Sequence, residues 1–71
     1  MSAIAILSKN LRRLRKEQGL TQEQLAERAN VTYRHYQQIE AEARPGLQIA
    51  TAERLAKALR VEIAELFRAN P

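Results

Sequence analysis

The 71-residue sequence contains no cysteine, and its only histidine is His35. Without cysteine, neither a disulfide framework nor a thiolate metal site can form. No second histidine and no carboxylate at ligand spacing accompanies His35, so we expect no metal site and no histidine base. Ser2 and Ser8 lack the companions of a catalytic triad. The sequence therefore predicts a protein that is not an enzyme and holds no metal or cofactor.

Long hydrophobic runs are also missing. The longest is "AIAIL", residues 3–7, which is far too short to cross a bilayer. It lacks the basic flank and the cleavage pattern of a signal peptide. We therefore expect a cytoplasmic protein without membrane contact. Its length predicts a single domain, residues 1–71, with no separate module for sensing a small-molecule ligand.

The chain carries an excess of positive charge. It has 12 Lys and Arg against 8 acidic residues, a net charge of +4 and a pI of about 10.1. Residues 1–44 carry eight basic and five acidic residues, whereas residues 45–71 carry four and three. This surplus favours an acidic partner, most simply nucleic acid, although a basic surface kept for solubility would give the same figures.

Apolar residues recur at helical spacing along nearly the whole chain, and no strand pattern is bounded by turn signals. The spacing predicts helices over residues 3–18, 21–29 and 33–42. A fourth helix carries an apolar stripe over residues 52–59, with Thr51 as a possible cap, and a short fifth lies within residues 61–67. The predicted fold class is all-α with five helices.

Local signals mark the ends of the first three helices. Ser2 can cap the first helix, and Gly19 follows it where a left-handed residue is needed. Thr21 begins a capping box with the glutamine three residues later. Asn30 tolerates a positive φ, which suits a sharp reversal, and Thr32 can cap the third helix.

The third helix shows two chemically different faces. Tyr36 and Ile39 define its buried direction at about 100° per residue. Its outward side chains are Tyr33, Arg34, Gln37 and Gln38. Arginine can donate two hydrogen bonds to guanine, and glutamine can bond adenine in the same paired way. This combination suits a helix that reads base edges, although exposed polar faces are common in other helices as well.

Several motifs occur in a specific order: "LRRLRKEQGLTQEQLAERANVT", then "IE" at 39–40, then "ERLAKAL" at 53–59. With them the sequence resembles the Cro and phage-repressor type of helix-turn-helix domains, the Xre-like group, over about residues 8–67. The resemblance implies a compact five-helix domain of the lambda-repressor-like kind, with its core over about 4–67 and its helix-turn-helix at 21–41. It also implies binding to double-stranded DNA as a homodimer, with the third helix in the major groove.

The resemblance also assigns roles to individual residues. The base-contact positions are Tyr33, Arg34, Gln37 and Gln38. The backbone-contact positions are Gln22, Thr32 and Arg44. Arg15 and Glu40 correspond to an ion pair that links the first and third helices.

The chain departs from this family at a few positions. Asn30 replaces the usual glycine of the turn, Tyr36 replaces a smaller aliphatic residue, and Arg60 stands where glycine commonly ends the fourth helix. Arg60 is expected to strain that helix end by about 1 kcal/mol.

The expected dimer interface lies at the C-terminal end of the chain. Val61, Leu66 and Phe67 are expected to close the core, which would leave Ile63 exposed, and Leu47 and Ile49 would extend the same apolar patch. A different function is left open by the sequence: the same fold can serve as a protein-interaction module or an antitoxin without reading a DNA sequence.

Overall fold

The computed structural model describes residues 2–43 and 46–69, and this part of the chain is helical without a strand. Its five helices are α1 (Ala3–Glu17), α2 (Gln22–Arg28), α3 (Tyr33–Glu40), α4 (Ile49–Leu59) and α5 (Ile63–Leu66). The predicted all-α, five-helix fold is therefore confirmed. Among the described residues, no helix combines the length and the apolar character needed for crossing a bilayer.

One apolar core joins the helices. It contains Leu7, Leu11, Leu14, Leu20, Leu25, Ala26, Ala29, Val31, Tyr36, Ile39, Leu55, Ala56, Leu59 and Leu66. α1 packs against α3 and α5, and α2 packs against α3 and α4. α3 thus lies on α1 and α2, which leaves its other side open.

The caps predicted at the starts of the first three helices are confirmed. The Ser2 side chain accepts a hydrogen bond from the N–H of residue 5, and the capping box at Thr21 is complete. Thr32 caps α3 by accepting a hydrogen bond from the His35 N–H at 3.1 Å. Asn30 adopts the expected left-handed conformation with a φ of 56°. The reversal between α2 and α3 is therefore specified by local side-chain chemistry.

The predicted end of α3 was two residues too late. The helix ends at Glu40, and Glu42 is left-handed with a φ of 58°. The Glu42 N–H bonds the Ile39 carbonyl at 3.2 Å, and the Ala43 N–H bonds the Gln38 carbonyl at 2.9 Å. These bonds close the last turn without a glycine, and therefore no sequence signal marked it.

The suggested cap of α4 was wrong. α4 begins two residues earlier, at Ile49, and Thr51 therefore lies in the first turn of the helix instead of at the cap position. Thr51 is also buried. Gln48 occupies the cap position and makes no side-chain capping bond. At the other end, Arg60 is left-handed with a φ of 59°, as expected from its place at a usual glycine position. A non-glycine residue there costs about 1–2 kcal/mol.

The C-terminal segment packs differently from the expectation. Leu66 is fully buried, but Phe67 remains 38% exposed. Ile63 is half-buried and packs against the core, so the prediction that it points outward was wrong. α5 has only four residues, and its first residue faces inward to cover α4.

Asn10 attaches this C-terminal segment to α1. It is buried, and its Nδ2 atom donates hydrogen bonds to the carbonyls of Glu65, Leu66 and Arg68 at 3.3, 2.9 and 2.9 Å. The C-terminal carbonyls of a helix lack N–H partners within the helix. One amide group therefore satisfies the end of α5 and fixes where it lies.

Candidate nucleic-acid interface

The outer face of α3 carries the side chains that the sequence assigned to base contact. Tyr33 is 43% exposed, Arg34 and Gln37 are exposed, and Gln38 is half-buried. All four belong to the eight residues of α3. The structure therefore brings a phenol, a guanidinium and two carboxamides together on one short, open helix.

Behind this face, the Glu40 carboxylate is buried and receives hydrogen bonds from three helices. Only 4% of the residue is exposed. From α1, Arg15 Nε donates to Oε2 at 2.7 Å and Arg15 Nη2 donates to Oε1 at 3.2 Å. From α2, Gln22 Nε2 donates to Oε1 at 3.1 Å. From α3 itself, the Tyr36 hydroxyl donates to Oε2. Both carboxylate oxygens therefore have two donors.

The pKa values of this cluster follow from burial and from the pairing. Burial raises the pKa of Glu40, but the hydrogen bonds from Arg15, Tyr36 and Gln22 and the positive charge of Arg15 outweigh it, so the net pKa is lowered. The hydrogen bond to Glu40 raises the pKa of Arg15. Burial, followed by the bond to the Glu40 carboxylate, raises the pKa of Tyr36. At neutral pH the cluster is therefore an ionised carboxylate, a guanidinium and a neutral phenol.

α1 also holds the backbone at the end of α3. Ser8 Oγ donates to the Ile39 carbonyl at 2.7 Å and to the Glu40 carbonyl at 3.1 Å. Arg12 Nη2 donates to the same Glu40 carbonyl at 2.9 Å. The Ile39 carbonyl also accepts the Glu42 N–H, whereas the Glu40 carbonyl accepts no backbone N–H of the described residues, so α1 supplies the donors to it.

Sequence reasoning missed three of these participants. It considered Ser8 only as a possible nucleophile, placed Tyr36 on the buried side of α3 and gave Arg12 no role. A signal was present, because Ser8, Arg12 and Arg15 are spaced by four and three residues and so share one side of α1. A polar stripe next to the apolar stripe can bind another helix through hydrogen bonds, but the same pattern also fits a helix side that faces solvent.

Two of the three residues assigned to backbone contact lie at helix starts. Gln22 is the first residue of α2, and after its bond to Glu40 it keeps one Nε2 hydrogen and its Oε1 oxygen. Thr32 caps α3 through its oxygen, which leaves its hydroxyl hydrogen free to donate. Arg44 lies outside the described residues.

The residues assigned to the dimer interface differ in exposure. Ile49 is 67% exposed. Leu47 and Ile63 are half-buried and pack against the core. Among the described residues of this set, Ile49 alone offers an apolar side chain mainly to solvent.

The comparison with known families agrees with this geometry. A family model described as helix-turn-helix matches residues 11–66, which includes all of α2, α3 and α4. The matched family consists of DNA-binding regulatory domains rather than enzymes. No curated protein and no solved structure matches the chain. The chain belongs to the helix-turn-helix family, in its Xre and lambda-repressor-like group.

Proposed function

We propose that this domain is a cytoplasmic transcriptional regulator that reads a specific duplex DNA sequence with α3 in the major groove. One observation carries the proposal: the exposed face of α3 concentrates side chains able to bond base edges, while α1 and α2 hold the helix from behind. A reading helix needs a fixed direction, because each paired bond to a base requires a specific approach. The buried Glu40 supplies that constraint.

The contacts to the DNA backbone are proposed to begin at the starts of α2 and α3. Gln22 and Thr32 keep hydrogens that could be donated to phosphate oxygens. Helix N-termini attract anions, since their N–H groups and the helix dipole point toward the ligand. Arg44 is proposed as a third phosphate contact. Because Gln22 also bonds Glu40, a phosphate held there would be connected to the end of α3.

The proposal is tested first at Arg34. Sequences selected from a random duplex pool define a preferred site, and binding of Arg34→Ala is then measured on that site and on random DNA. We expect a loss of roughly 1–3 kcal/mol on the preferred site and a smaller loss on random DNA, because paired contacts to a base carry specificity. Lys9→Ala, an exposed cation on α1, is the matched control. Equal losses on both DNAs would make Arg34 a phosphate contact.

The same measurement separates the alternative function. A protein-interaction module that does not read DNA should select no sequence from the pool and should bind bulk duplex weakly even at low salt. Enrichment of one sequence by the unmodified chain would exclude that alternative.

A homodimer on a palindromic site is proposed, because one short helix contacts too few base pairs to select a single site. Two copies related by a two-fold axis would read half-sites about 34 Å apart. Leu47, Ile49 and Ile63 are proposed to form the interface. The exposed side chain of Ile49 carries this proposal.

Ile49→Asp tests the dimer better than a change at Ile63, since Ile63 packs on the core and a charge there would disturb the fold. We expect a folded monomer with weak, non-cooperative DNA binding, measured by sedimentation and titration. Ala50→Asp adds the same charge to the same turn as a control. An Ile49→Asp dimer of unchanged mass would place the interface elsewhere.

A further inference from the structure

A second charged surface contains none of the residues assigned to DNA contact. It is a groove between the C-terminal end of α2 and the outer side of α4. Its lining residues are Arg28, Ala29, Asn30, Arg54, Lys57 and Ala58. We name it the α2–α4 groove. Three of its six residues are cations and none is an acid, although α2 and α4 both contain glutamates.

The cations of this groove form no ion pair with another described residue. None of the ion pairs between described residues includes Arg28, Arg54 or Lys57. The Arg54 Nε atom donates to the Ala29 carbonyl at 3.2 Å, which places this guanidinium at the groove. By contrast, Arg12, Arg13, Arg15 and Arg68 all lie within 4 Å of a glutamate carboxylate. Gathering three unpaired like charges costs free energy through repulsion, and an anionic occupant would remove that cost.

The chemistry of the groove shows which kind of anion fits. At the end of α2, the carbonyls of residues 25–27 already accept backbone N–H groups, and the Ala29 carbonyl accepts from Arg54 Nε at 3.2 Å. An anion is therefore met mainly by the exposed cationic side chains. An acidic peptide brings carboxylates, which accept paired hydrogen bonds from guanidinium groups, and aliphatic carbons that can pack on the half-buried Ala58.

We propose that the α2–α4 groove binds an acidic segment of a partner protein. Arg54 and Arg28 would hold carboxylates through their guanidinium groups, and Lys57 would add a third positive charge. None of the six lining residues belongs to the base-contact or backbone-contact sets, so this surface is distinct from the proposed DNA interface. It would let a partner act on a domain that has no ligand-sensing module of its own among the described residues.

The test uses a short oligoglutamate peptide as the probe. The peptide is titrated into the isotope-labelled full chain, and backbone amide shifts are followed by NMR. We expect the largest shifts at residues 28–31 and 54–58. Shifts concentrated on α1 or on the outer face of α3 would overturn the proposal.

Two matched double variants then separate this groove from general charge. Arg28→Gln with Lys57→Gln removes two groove cations whose side chains make no hydrogen bond or ion pair with the described residues. Lys9→Gln with Lys16→Gln removes two exposed cations of α1 and leaves the same net charge. We expect the groove variant to bind the peptide about tenfold more weakly and the α1 variant to bind nearly as the unmodified chain does. Equal weakening in both would show only non-specific attraction and would refute the proposal.

Duplex DNA is the second arm of the experiment. A duplex carrying the selected site should shift α3 and leave the groove residues unchanged, and Arg28→Gln with Lys57→Gln should bind it normally. If the duplex shifts the groove residues, or if this variant loses DNA affinity as much as peptide affinity, the cations serve phosphates. That outcome would also overturn the proposal, while leaving the reading role of α3 intact.

Discussion

α3 and α4 are attached to the rest of the molecule by different kinds of contact. α3 is held by a buried carboxylate with four donors and by carbonyls that accept from Ser8 and Arg12. α4 is held mainly by buried aliphatic side chains, and its polar contacts with the other described helices include two single hydrogen bonds to backbone carbonyls. Hydrogen bonds are directional, whereas the hydrophobic effect is not. We call the contacts that hold α3 around Glu40 the polar junction, and the buried aliphatic contacts of α4 the apolar junction. The polar junction can therefore fix the orientation of α3, while the apolar junction mainly supplies free energy of folding.

The largest effect is expected from breaking the apolar junction. Leu55 is fully buried in α4, and Leu55→Ala should lower the free energy of unfolding by about 2–5 kcal/mol, because it removes buried surface and leaves a cavity. Urea unfolding measures this loss, with Glu53→Ala on the exposed side of α4 as control. The molecules that remain folded should keep the ratio of affinities for selected and random DNA. A lower ratio would mean that α4 also orients α3.

A smaller loss of stability but a larger loss of specificity is expected from Arg15→Ala. Removing one partner of a buried ion pair leaves the other charge poorly compensated, which should cost about 1–4 kcal/mol in urea unfolding. Since Glu40 then no longer joins α1 to α3, the ratio of affinities for selected and random DNA should fall as well. An unchanged ratio would show that apolar packing alone orients α3.

Rescue of this variant depends on Tyr36. Replacing the ion pair by apolar residues, Arg15→Met with Glu40→Leu, should restore only part of the stability, because the buried Tyr36 hydroxyl loses its acceptor. Adding Tyr36→Phe should restore more. If the double and triple variants unfold at the same urea concentration, the Tyr36 hydroxyl has found another partner.

The two junctions also differ in how far the sequence predicts them. Apolar spacing locates α4 and its buried leucines, because burial follows helical periodicity directly. The Arg15–Glu40 pair came only from the family resemblance. The roles of Ser8, Arg12 and Tyr36 as donors were missed. In a sequence, a polar helix residue that bonds another helix looks the same as one that faces solvent. The ends of α3 and α4 were misplaced where non-glycine residues close a turn, at Glu42, or where the cap has no side-chain bond, at Gln48. The exposure predicted for Ile63 was wrong because a four-residue helix is too short to show which side is buried.

The smallest effect is a pH dependence that belongs to the polar junction alone. Glu40 has a lowered pKa in the folded chain, whereas in the unfolded chain it should be near its ordinary value of 4.5. Between these two values the unfolded state binds more protons, so stability rises with pH there. The contribution of Glu40 is therefore fully present above about pH 5 and is lost as the pH falls through the lowered pKa.

In Glu40→Gln, the free energy of unfolding should be lower at neutral pH and should change less between neutral and acidic pH. Leu55→Ala, which leaves the Glu40 carboxylate in place, should keep the slope of the unmodified chain if enough of it folds to be measured. Chemical unfolding at a series of pH values measures these slopes. If the Glu40→Gln and unmodified chains lose stability in parallel on acidification, Glu40 titrates alike in both states and the junction is not held by its charge.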